Sequence, residues 1–121
     1  MSMNIEIGVD IVEIPDFEGR VKRTPSLLKN LFSESEIAYA KGNIQRLAAR
    51  FAAKEAIKKA LSPIGIDWKD ILVSHTKQGK PLIEVPRRII KKLSINSMKV
   101  SLSHTKTLAV AYVAISFEEE Q

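Results

Sequence analysis

The chain has 121 residues and a formal net charge of +5. Its length suits one domain with one core, spanning residues 1–121, and its 45% hydrophobic and 27% charged residues are typical of a globular protein, not a disordered one. No apolar run approaches the roughly 20 residues of a membrane helix, and the lack of cysteine excludes disulfides and thiolate zinc ligands. We therefore expect a cytoplasmic protein. The positive charge is consistent with a polyanionic partner such as nucleic acid, a phosphorylated cofactor or an acidic protein, and equally with a merely solvated surface.

The N-terminal quarter predicts one strand and two short helical segments. Residues 3–12 alternate between apolar and polar, which predicts a half-buried strand. One face carries Ile5, Ile7, Val9 and Ile11. Pro15 suits the first turn of a short helix over residues 15–23, and a second segment that starts with proline follows at residues 25–32.

The middle of the chain predicts two further helices. Ser33 and Glu36 form a capping box, and Gly42 marks the end of the helix that this box opens. Asn43 is placed to cap the longest helix, predicted from Ile44 to Leu61. This helix is expected to end at Pro63 and Gly65.

The C-terminal half predicts strands around one basic helix. Strands are predicted at residues 71–75, 82–85, 99–105 and 107–117. A turn at 78–81 separates the first two strands, Pro86 starts the basic helix, and the tail at 118–121 is expected to fray. The order predicts an α+β fold in which one long helix and shorter helices pack on a mainly antiparallel sheet.

The long helix carries the most informative charges. Arg50, Lys54 and Lys58 are spaced four residues apart, which predicts one cationic ridge, and Glu55 and Lys59 have the same spacing on the neighbouring ridge. One interpretation is a surface helix with a single stabilising Glu–Lys pair. The other is a carboxylate that holds a metal ion among cations that hold phosphates.

A metal site needs a second carboxylate, and Asp10 is the best candidate. It lies on the polar face of the first strand, where β propensity disfavours aspartate. An aspartate at a strand end is often only a cap or a turn residue. Together with Glu55, however, it would provide the one or two carboxylates that Mg²⁺ sites combine with phosphate oxygens and water.

Three segments resemble the holo-acyl-carrier-protein synthases, the short, single-domain type of 4′-phosphopantetheinyl transferase. They are residues 7–14 (IGVDIVEI), 50–56 (RFAAKEA) and 100–105 (VSLSHT). The Gly79-Lys80-Pro81 turn and the SESE helix start at 33–36 are also similar to those of the family. The resemblance implies transfer of phosphopantetheine from coenzyme A to a serine hydroxyl of apo acyl carrier protein, with adenosine 3′,5′-bisphosphate as by-product. It also implies a homotrimer with an active site at each subunit interface.

The resemblance further implies roles for single residues. Asp10 and Glu55 would hold Mg²⁺, Lys59 would lie near the reacting phosphate, and either a metal-bound water or Glu55 would accept the proton of the serine. Coenzyme binding, or holding the site together, would fall to Arg50, Lys54, Lys58, Gly79, Lys80, Pro81, Ser103, His104 and Thr105. The acidic carrier protein would dock on Arg20, Lys22 and Arg23.

The chain departs from the family pattern at two places. Asp16 stands where an arginine is common in the family, which affects docking of the carrier. The loop Ser62–Gly65 is poor in glycine, so it has less freedom to wrap a phosphate. The chain's two histidines both lie in SHTK segments; His104 is the one that matches a family motif, and His75 is expected to be incidental.

Two other functions fit parts of the sequence. The positive charge and the basic helices fit a small nucleic-acid-binding module without catalysis, although aromatic residues make up only 6% of the chain and no strand combines basic residues with stacking aromatics. A purely structural trimer would also be consistent with the pattern; it predicts that Asp10 and Glu55 can be replaced without effect. We favour the enzyme, with no nucleic-acid or membrane partner.

Overall fold

The computed structural model describes residues 4–61 and 66–118, and its elements follow the predicted order. The strands are β1 (Asn4–Glu13), β2 (Leu72–His75), β3 (Pro81–Glu84), β4 (Ile95–His104) and β5 (Leu108–Phe117). The helices are α1 (Ile14–Arg23), α2 (Leu27–Leu31), α3 (Glu34–Ala40), α4 (Ile44–Leu61) and α5 (Arg87–Leu93). The expected helix stop at Pro63 and Gly65, the Ser62–Gly65 loop and the tail beyond residue 118 lie outside the described residues.

The strands form two antiparallel sheets. The larger has the order β1-β5-β4, and β2 and β3 form a separate hairpin. In the larger sheet Asp10 is paired with Ala111, which is paired in turn with Leu102. The prediction of an α+β fold with an antiparallel sheet is confirmed.

The helix boundaries follow from local capping. The Ser33 hydroxyl accepts a hydrogen bond from the Glu36 amide at 3.2 Å, and Glu36 Oε1 accepts one from the Ser33 amide at 3.0 Å, so the predicted capping box is present. Asn43 Oδ1 accepts a hydrogen bond from the Arg46 amide at 3.1 Å, as expected of the residue that caps α4. None of the described helices is both long enough and apolar enough to cross a membrane.

Helix α4 packs directly on the inner face of the larger sheet. Its small residues Ala52, Ala53 and Ala56 are completely buried, and the facing side chains of β5 are buried as well. At Gly8 on β1 a Cβ atom would overlap the backbone oxygen of Ala56, so only glycine permits this approach. The close packing of β1 on α4 determines the position of the functional side chains described below.

The orientation of β1 corrects the expectation that its apolar row packs into the core. Ile5, Ile7, Val9 and Ile11 are 52–63% exposed, on the face of the sheet opposite to α4. The inner face of β1 instead presents Gly8, because a large side chain there would hold the helix away. The described chain therefore shows solvent an apolar surface, the outer face of β1, defined by these four residues.

Candidate active site

Asp10 and Lys59 meet where β1 packs against α4. The Lys59 ammonium donates a hydrogen bond to Asp10 Oδ1 at 2.7 Å and a longer one to the Val9 carbonyl at 3.3 Å. Glu55 lies one helical turn before Lys59 and interacts electrostatically with Asp10. Lys59 forms its ion pair with Asp10 rather than with Glu55. The interpretation of Glu55 and Lys59 as an isolated ion pair on a surface helix therefore does not hold.

The charges at this place affect one another. Partial burial raises the pKa of Glu55, the negative charge of Asp10 raises it further, and Lys59, Lys58 and Arg20 lower it in part. The hydrogen bond to Asp10 raises the pKa of Lys59, which keeps this lysine protonated. The Glu55 carboxylate is thus a better proton acceptor than an ordinary glutamate, beside a fixed positive charge.

These residues line an open cavity of about 380 Å³. The first helix contributes Asp16, Phe17 and Arg20 to its wall, and α4 contributes Phe51. Arg20, which the sequence assigns to carrier docking, therefore lies at the same cavity as the candidate catalytic residues. Lys22 and Arg23, from the same prediction, are exposed further along α1, where Lys22 lies 4.0 Å from Glu18.

The donor set at Asp10 and Glu55 fits a magnesium ion. Among the described residues, no three or more histidine, cysteine, aspartate or glutamate side chains lie together. A metal ion here could therefore not be coordinated by protein ligands alone. Mg²⁺ commonly binds through one or two carboxylates and completes its shell with water and substrate phosphates. Two adjacent carboxylates at an open cavity meet that requirement.

The prediction that Arg50, Lys54 and Lys58 form one exposed cationic ridge on α4 is wrong for its central residue, Lys54. Lys54 is fully buried, and its ammonium donates hydrogen bonds to Glu36 Oε1 at 2.7 Å, to the Leu31 carbonyl at 2.7 Å and to the Trp68 carbonyl at 3.1 Å. With all three protons used, this lysine has none to offer a phosphate. Of the two predicted roles, its position fits the one that holds the site together.

Arg50 is buried but incompletely satisfied. It is 7% exposed, its guanidinium lies 4.4 Å from the centre of the Tyr39 ring, and its Nη1 donates to the Arg46 carbonyl at 3.4 Å. Its Nε is buried without a hydrogen-bond partner, and no described carboxylate forms an ion pair with Arg50. Arg46 lies over the same ring at 5.4 Å, so two cations converge here. His75, which was expected to be incidental, contacts the Tyr39 ring from the end of β2, and the two ring centres are 4.0 Å apart.

The remaining predicted coenzyme-binding residues lie elsewhere. Lys58 stacks on the Trp68 ring at 3.8 Å. The turn Gly79–Pro81 belongs to the β2–β3 hairpin. Ser103 and His104 end β4, which β5 separates from β1, and Thr105 follows directly. Neither segment lines the cavity of Asp10 and Glu55. His104 is exposed, with Nδ1 3.2 Å from the Thr105 carbonyl oxygen. A single chain therefore does not bring the whole predicted set together.

The profile of the 4′-phosphopantetheinyl transferase superfamily matches residues 6–113 of this chain. The chain belongs to this superfamily. A holo-[acyl-carrier-protein] synthase of Moorella thermoacetica is 40% identical over 127 residues, covering 96% of this chain and 98% of the relative. One from Streptomyces avermitilis is 40% identical over 116 residues, covering 90% and 94%. The transferase is thus of the holo-acyl-carrier-protein synthase type.

Solved structures of such synthases have the same fold as this transferase. A crystal structure of the Helicobacter pylori holo-[acyl-carrier-protein] synthase in complex with coenzyme A superimposes with a TM-score of 0.85 at 36% identity, covering 90% of this chain and 98% of the other. A Bacillus anthracis holo-(acyl-carrier-protein) synthase in complex with coenzyme A (3′,5′-ADP) gives a TM-score of 0.81 at 30% identity, covering 97% and 100%. The resemblance inferred from the motifs is confirmed.

Sequence reasoning missed three features of the transferase site. Gly8 received no role from the sequence, although a glycine within a strand signals close backbone approach. Glu36 was interpreted only as part of a capping box, although its other contacts make it the partner of Lys54. Glu13 lines the cavity beside Asp16, and no local pattern in the sequence indicated this.

Proposed function

We propose that Asp10, Glu55 and Lys59 carry out the transfer of phosphopantetheine from coenzyme A to a serine of apo acyl carrier protein, with Mg²⁺ bound at the two carboxylates. The observation that supports this most directly is the convergence of Asp10, Glu55 and Lys59 at one open cavity. The family to which the chain belongs performs this reaction, and its coenzyme A complexes have the same fold.

In this reaction the serine Oγ attacks the phosphorus that carries the pantetheine arm. A new Oγ–P bond forms, and the P–O bond to adenosine 3′,5′-bisphosphate breaks. A bound Mg²⁺ would supply positive charge to the pyrophosphate oxygens. Asp10 and Glu55 would hold the ion, and Lys59 adds a fixed cation that can stabilise negative charge on the departing phosphate. Glu55 is the residue of this chain placed to accept the proton of the serine, and in the site without metal its pKa is raised by partial burial and by the charge of Asp10.

Arg50 is the best placed of the proposed coenzyme-binding cations. A buried guanidinium without an anion is costly, and a phosphate oxygen is a partner of the right charge and geometry for it. Arg46 adds a second positive charge beside the same tyrosine ring. We propose that these two arginines bind a phosphate of coenzyme A.

We further propose that the protein acts as a homotrimer in the cytoplasm. The outer face of β1 supports assembly, because Ile5, Ile7, Val9 and Ile11 form a contiguous exposed apolar row. Ser103 lies beside this face, since it pairs with Val110, which pairs with Ile11. Assembly through this face would let residues 103–105 reach the active site of a neighbouring subunit.

Replacing Ile7 and Ile11 by lysine tests the assembly. We expect monomers in analytical ultracentrifugation with an unchanged circular dichroism spectrum, because both side chains are already exposed in one chain. Leu82 and Ile90 are exposed elsewhere, so their lysine variants form the matched control and are expected to stay trimeric. A monomeric wild-type protein would refute the proposed trimer.

Intact-mass measurement of the carrier tests the activity. Incubation of apo acyl carrier protein with this protein, coenzyme A and Mg²⁺ should add the mass of one phosphopantetheinyl group, and EDTA should prevent it. The Glu55→Gln variant is expected to lose turnover while the assembly stays intact. A carrier of unchanged mass, across several cognate and related carriers, would refute the function. Full activity of the Glu55→Gln variant would show that Glu55 is neither a ligand of the metal nor a catalytic residue.

The comparisons give no support to the alternative of a nucleic-acid-binding module. The same preparation distinguishes the two, because a nucleic-acid module would be retained on DNA without metal and released steeply by salt. Coenzyme A binding that EDTA abolishes supports the transferase.

A further inference from the structure

Three side chains that can carry positive charge surround the Tyr39 ring. From α4, the guanidinium of Arg50 lies 4.4 Å from the ring centre and that of Arg46 lies 5.4 Å from it. The imidazole of His75, at the end of β2, has its ring centre 4.0 Å from that of the tyrosine. These four residues, here called the tyrosine cluster, bring together α3, α4 and the β2–β3 hairpin.

The tyrosine cluster contains a buried cation that lacks a full set of partners. Arg50 is 7% exposed, and its buried Nε has no hydrogen-bond partner. Within residues 4–61 and 66–118, no carboxylate forms an ion pair with Arg46, Arg50 or His75. The free chain therefore concentrates positive charge at this place without an anion, and a phosphate would supply one of the right geometry.

The hairpin adds further cations beside His75. Across the hairpin His75 pairs with Pro81, which directly follows Lys80. Lys77 is exposed in the turn between the two strands. The ammonium of Lys54 on α4 is already occupied by three acceptors. The charges nearest to His75 in the fold are thus positive.

The carboxylates of the elements packed against β2, which are β3, α3 and α4, are engaged or lie elsewhere. Glu84 is at the end of β3 away from the tyrosine cluster. On α3, Glu36 is bonded to the buried lysine of α4, and Glu34 begins the helix, at the other end from the tyrosine. On α4, Glu55 lines the candidate active-site cavity. A bound anion is therefore what would favour a proton on the imidazole.

Resting on the proposed function, we propose that His75 is a further phosphate-binding residue, which joins Arg46 and Arg50 in its protonated form. Histidine is the side chain that ordinarily gains a proton between pH 8 and pH 5. The neighbouring arginines oppose that proton in the free chain, whereas a bound phosphate favours it. Binding of coenzyme A is thus coupled to uptake of a proton by His75, and it strengthens as the pH falls.

The dissociation constant of coenzyme A, measured by calorimetry with Mg²⁺ at pH 6 and at pH 8, tests this coupling. The gain in affinity at pH 6 should be about fivefold larger in the wild type than in His75→Phe, because only the wild type gains a charged donor. Phenylalanine keeps a ring beside Tyr39 but takes no proton, so this variant reports all other titrating groups, including the phosphates of the coenzyme. His75→Lys should have the same small gain as His75→Phe, with tighter binding at both pH values.

Lys77→Gln provides the matched control. It removes a positive charge from the same hairpin but leaves the histidine, so it should keep the wild-type gain at pH 6. A His75→Phe protein with the wild-type gain overturns the inference. An equal loss of the gain in Lys77→Gln also overturns it, because the net charge of the hairpin would then explain the effect.

Dephospho-coenzyme A identifies the phosphate, since it lacks the 3′-phosphate and keeps the pyrophosphate. Loss of the His75 effect with this ligand assigns the 3′-phosphate to the tyrosine cluster, and an unchanged effect assigns the pyrophosphate; both support the inference. If coenzyme A binds to none of the proteins, the proposed function fails and the inference fails with it. If it binds to all of them with the same gain at pH 6 and the carrier gains mass, only the inference fails.

Discussion

Lys54 on α4 donates a 2.7 Å hydrogen bond to Glu36 at the start of α3, and 0% and 3% of these two side chains remain exposed. The other Glu36 oxygen accepts a hydrogen bond from the Val73 amide at 3.1 Å. The pair thereby joins the long helix to the segments that begin α3 and β2. Because every proton of the Lys54 ammonium has an acceptor, the pair is a structural connection directly beside Glu55 in sequence.

Replacing Lys54 by methionine should make the protein easier to unfold. Removal of one partner leaves the Glu36 carboxylate buried and unpaired, which costs about 3–5 kcal/mol of the free energy of unfolding. Urea denaturation followed by circular dichroism measures this loss. The double variant Lys54→Met/Glu36→Leu should recover part of it, since no charge is then buried alone. Equal loss in the single and double variants would show that the pair is not coupled.

Replacing Gly8 by alanine should separate β1 from α4. The added methyl group overlaps the Ala56 carbonyl oxygen, a backbone atom that cannot rotate away, so we expect a loss of about 1–3 kcal/mol and weaker activity as Asp10 moves from Glu55. The matched control is Gly19→Ala in α1, where the nearest atom is the flexible end of Arg23 and alanine favours the helix. Thermal unfolding of both variants is the measurement. A Gly8→Ala protein as stable as Gly19→Ala would contradict the close packing.

Replacing Arg50 by methionine should separate stability from coenzyme binding. The free protein loses a buried cation with an unpaired Nε, so its melting temperature is expected to stay equal or rise. The stabilisation that coenzyme A gives to the wild type should be largely lost. Arg46→Met, which removes the more exposed cation over Tyr39, should reduce that stabilisation less. An unchanged coenzyme A shift in Arg50→Met would exclude Arg50 from the binding site.

The proximity of Glu13 and Asp16 predicts a specific dependence of stability on pH. The folded protein raises the pKa of Glu13 above its ordinary value of 4.5, so the folded state holds that proton more tightly than the unfolded chain. The resulting stability is present below pH 4.5 and is lost as the pH rises through the folded-state pKa. The melting temperature of Glu13→Gln should therefore rise relative to wild type between pH 4 and pH 7.

A control variant separates this effect from ordinary surface charge. Glu18 faces Lys22 rather than another carboxylate, so the melting temperature of Glu18→Gln should not rise relative to wild type over the same pH range. Equal behaviour of the two variants would show that the Glu13–Asp16 proximity has no effect on stability.

Local chemistry allowed most of the secondary structure to be predicted. The capping box at Ser33 and Glu36, the Asn43 cap and the bounds of α4 depend on neighbouring residues, and the structure has them as predicted. Asp10 and Glu55 were predicted to lie together because their carboxylates would fit a metal ion, and both line one cavity in the structure.

Helical spacing did not predict which of Arg50, Lys54 and Lys58 would be exposed, and the reason is physical. Spacing places side chains on one ridge of a helix, but it does not say what that ridge packs against. In the fold Glu36 and two carbonyls lie opposite Lys54, a tyrosine ring lies opposite Arg50, and a tryptophan ring lies opposite Lys58. Partners that are far apart in the sequence decide which cations are exposed.

By itself, then, the sequence determined the order of helices and strands and the family, because these follow from local patterns and motifs, and residue type singled out Asp10 and Glu55 as candidate ligands. Only the tertiary structure decided that the isoleucine face of β1 points outward. The tertiary structure also buried Lys54 against Glu36 and placed Glu13 and Asp16 at the cavity. The reason is the approach of α4 to Gly8: because the Ala56 carbonyl leaves no room for a Cβ atom there, the face of β1 that carries Gly8 turns inward and the isoleucine face turns outward.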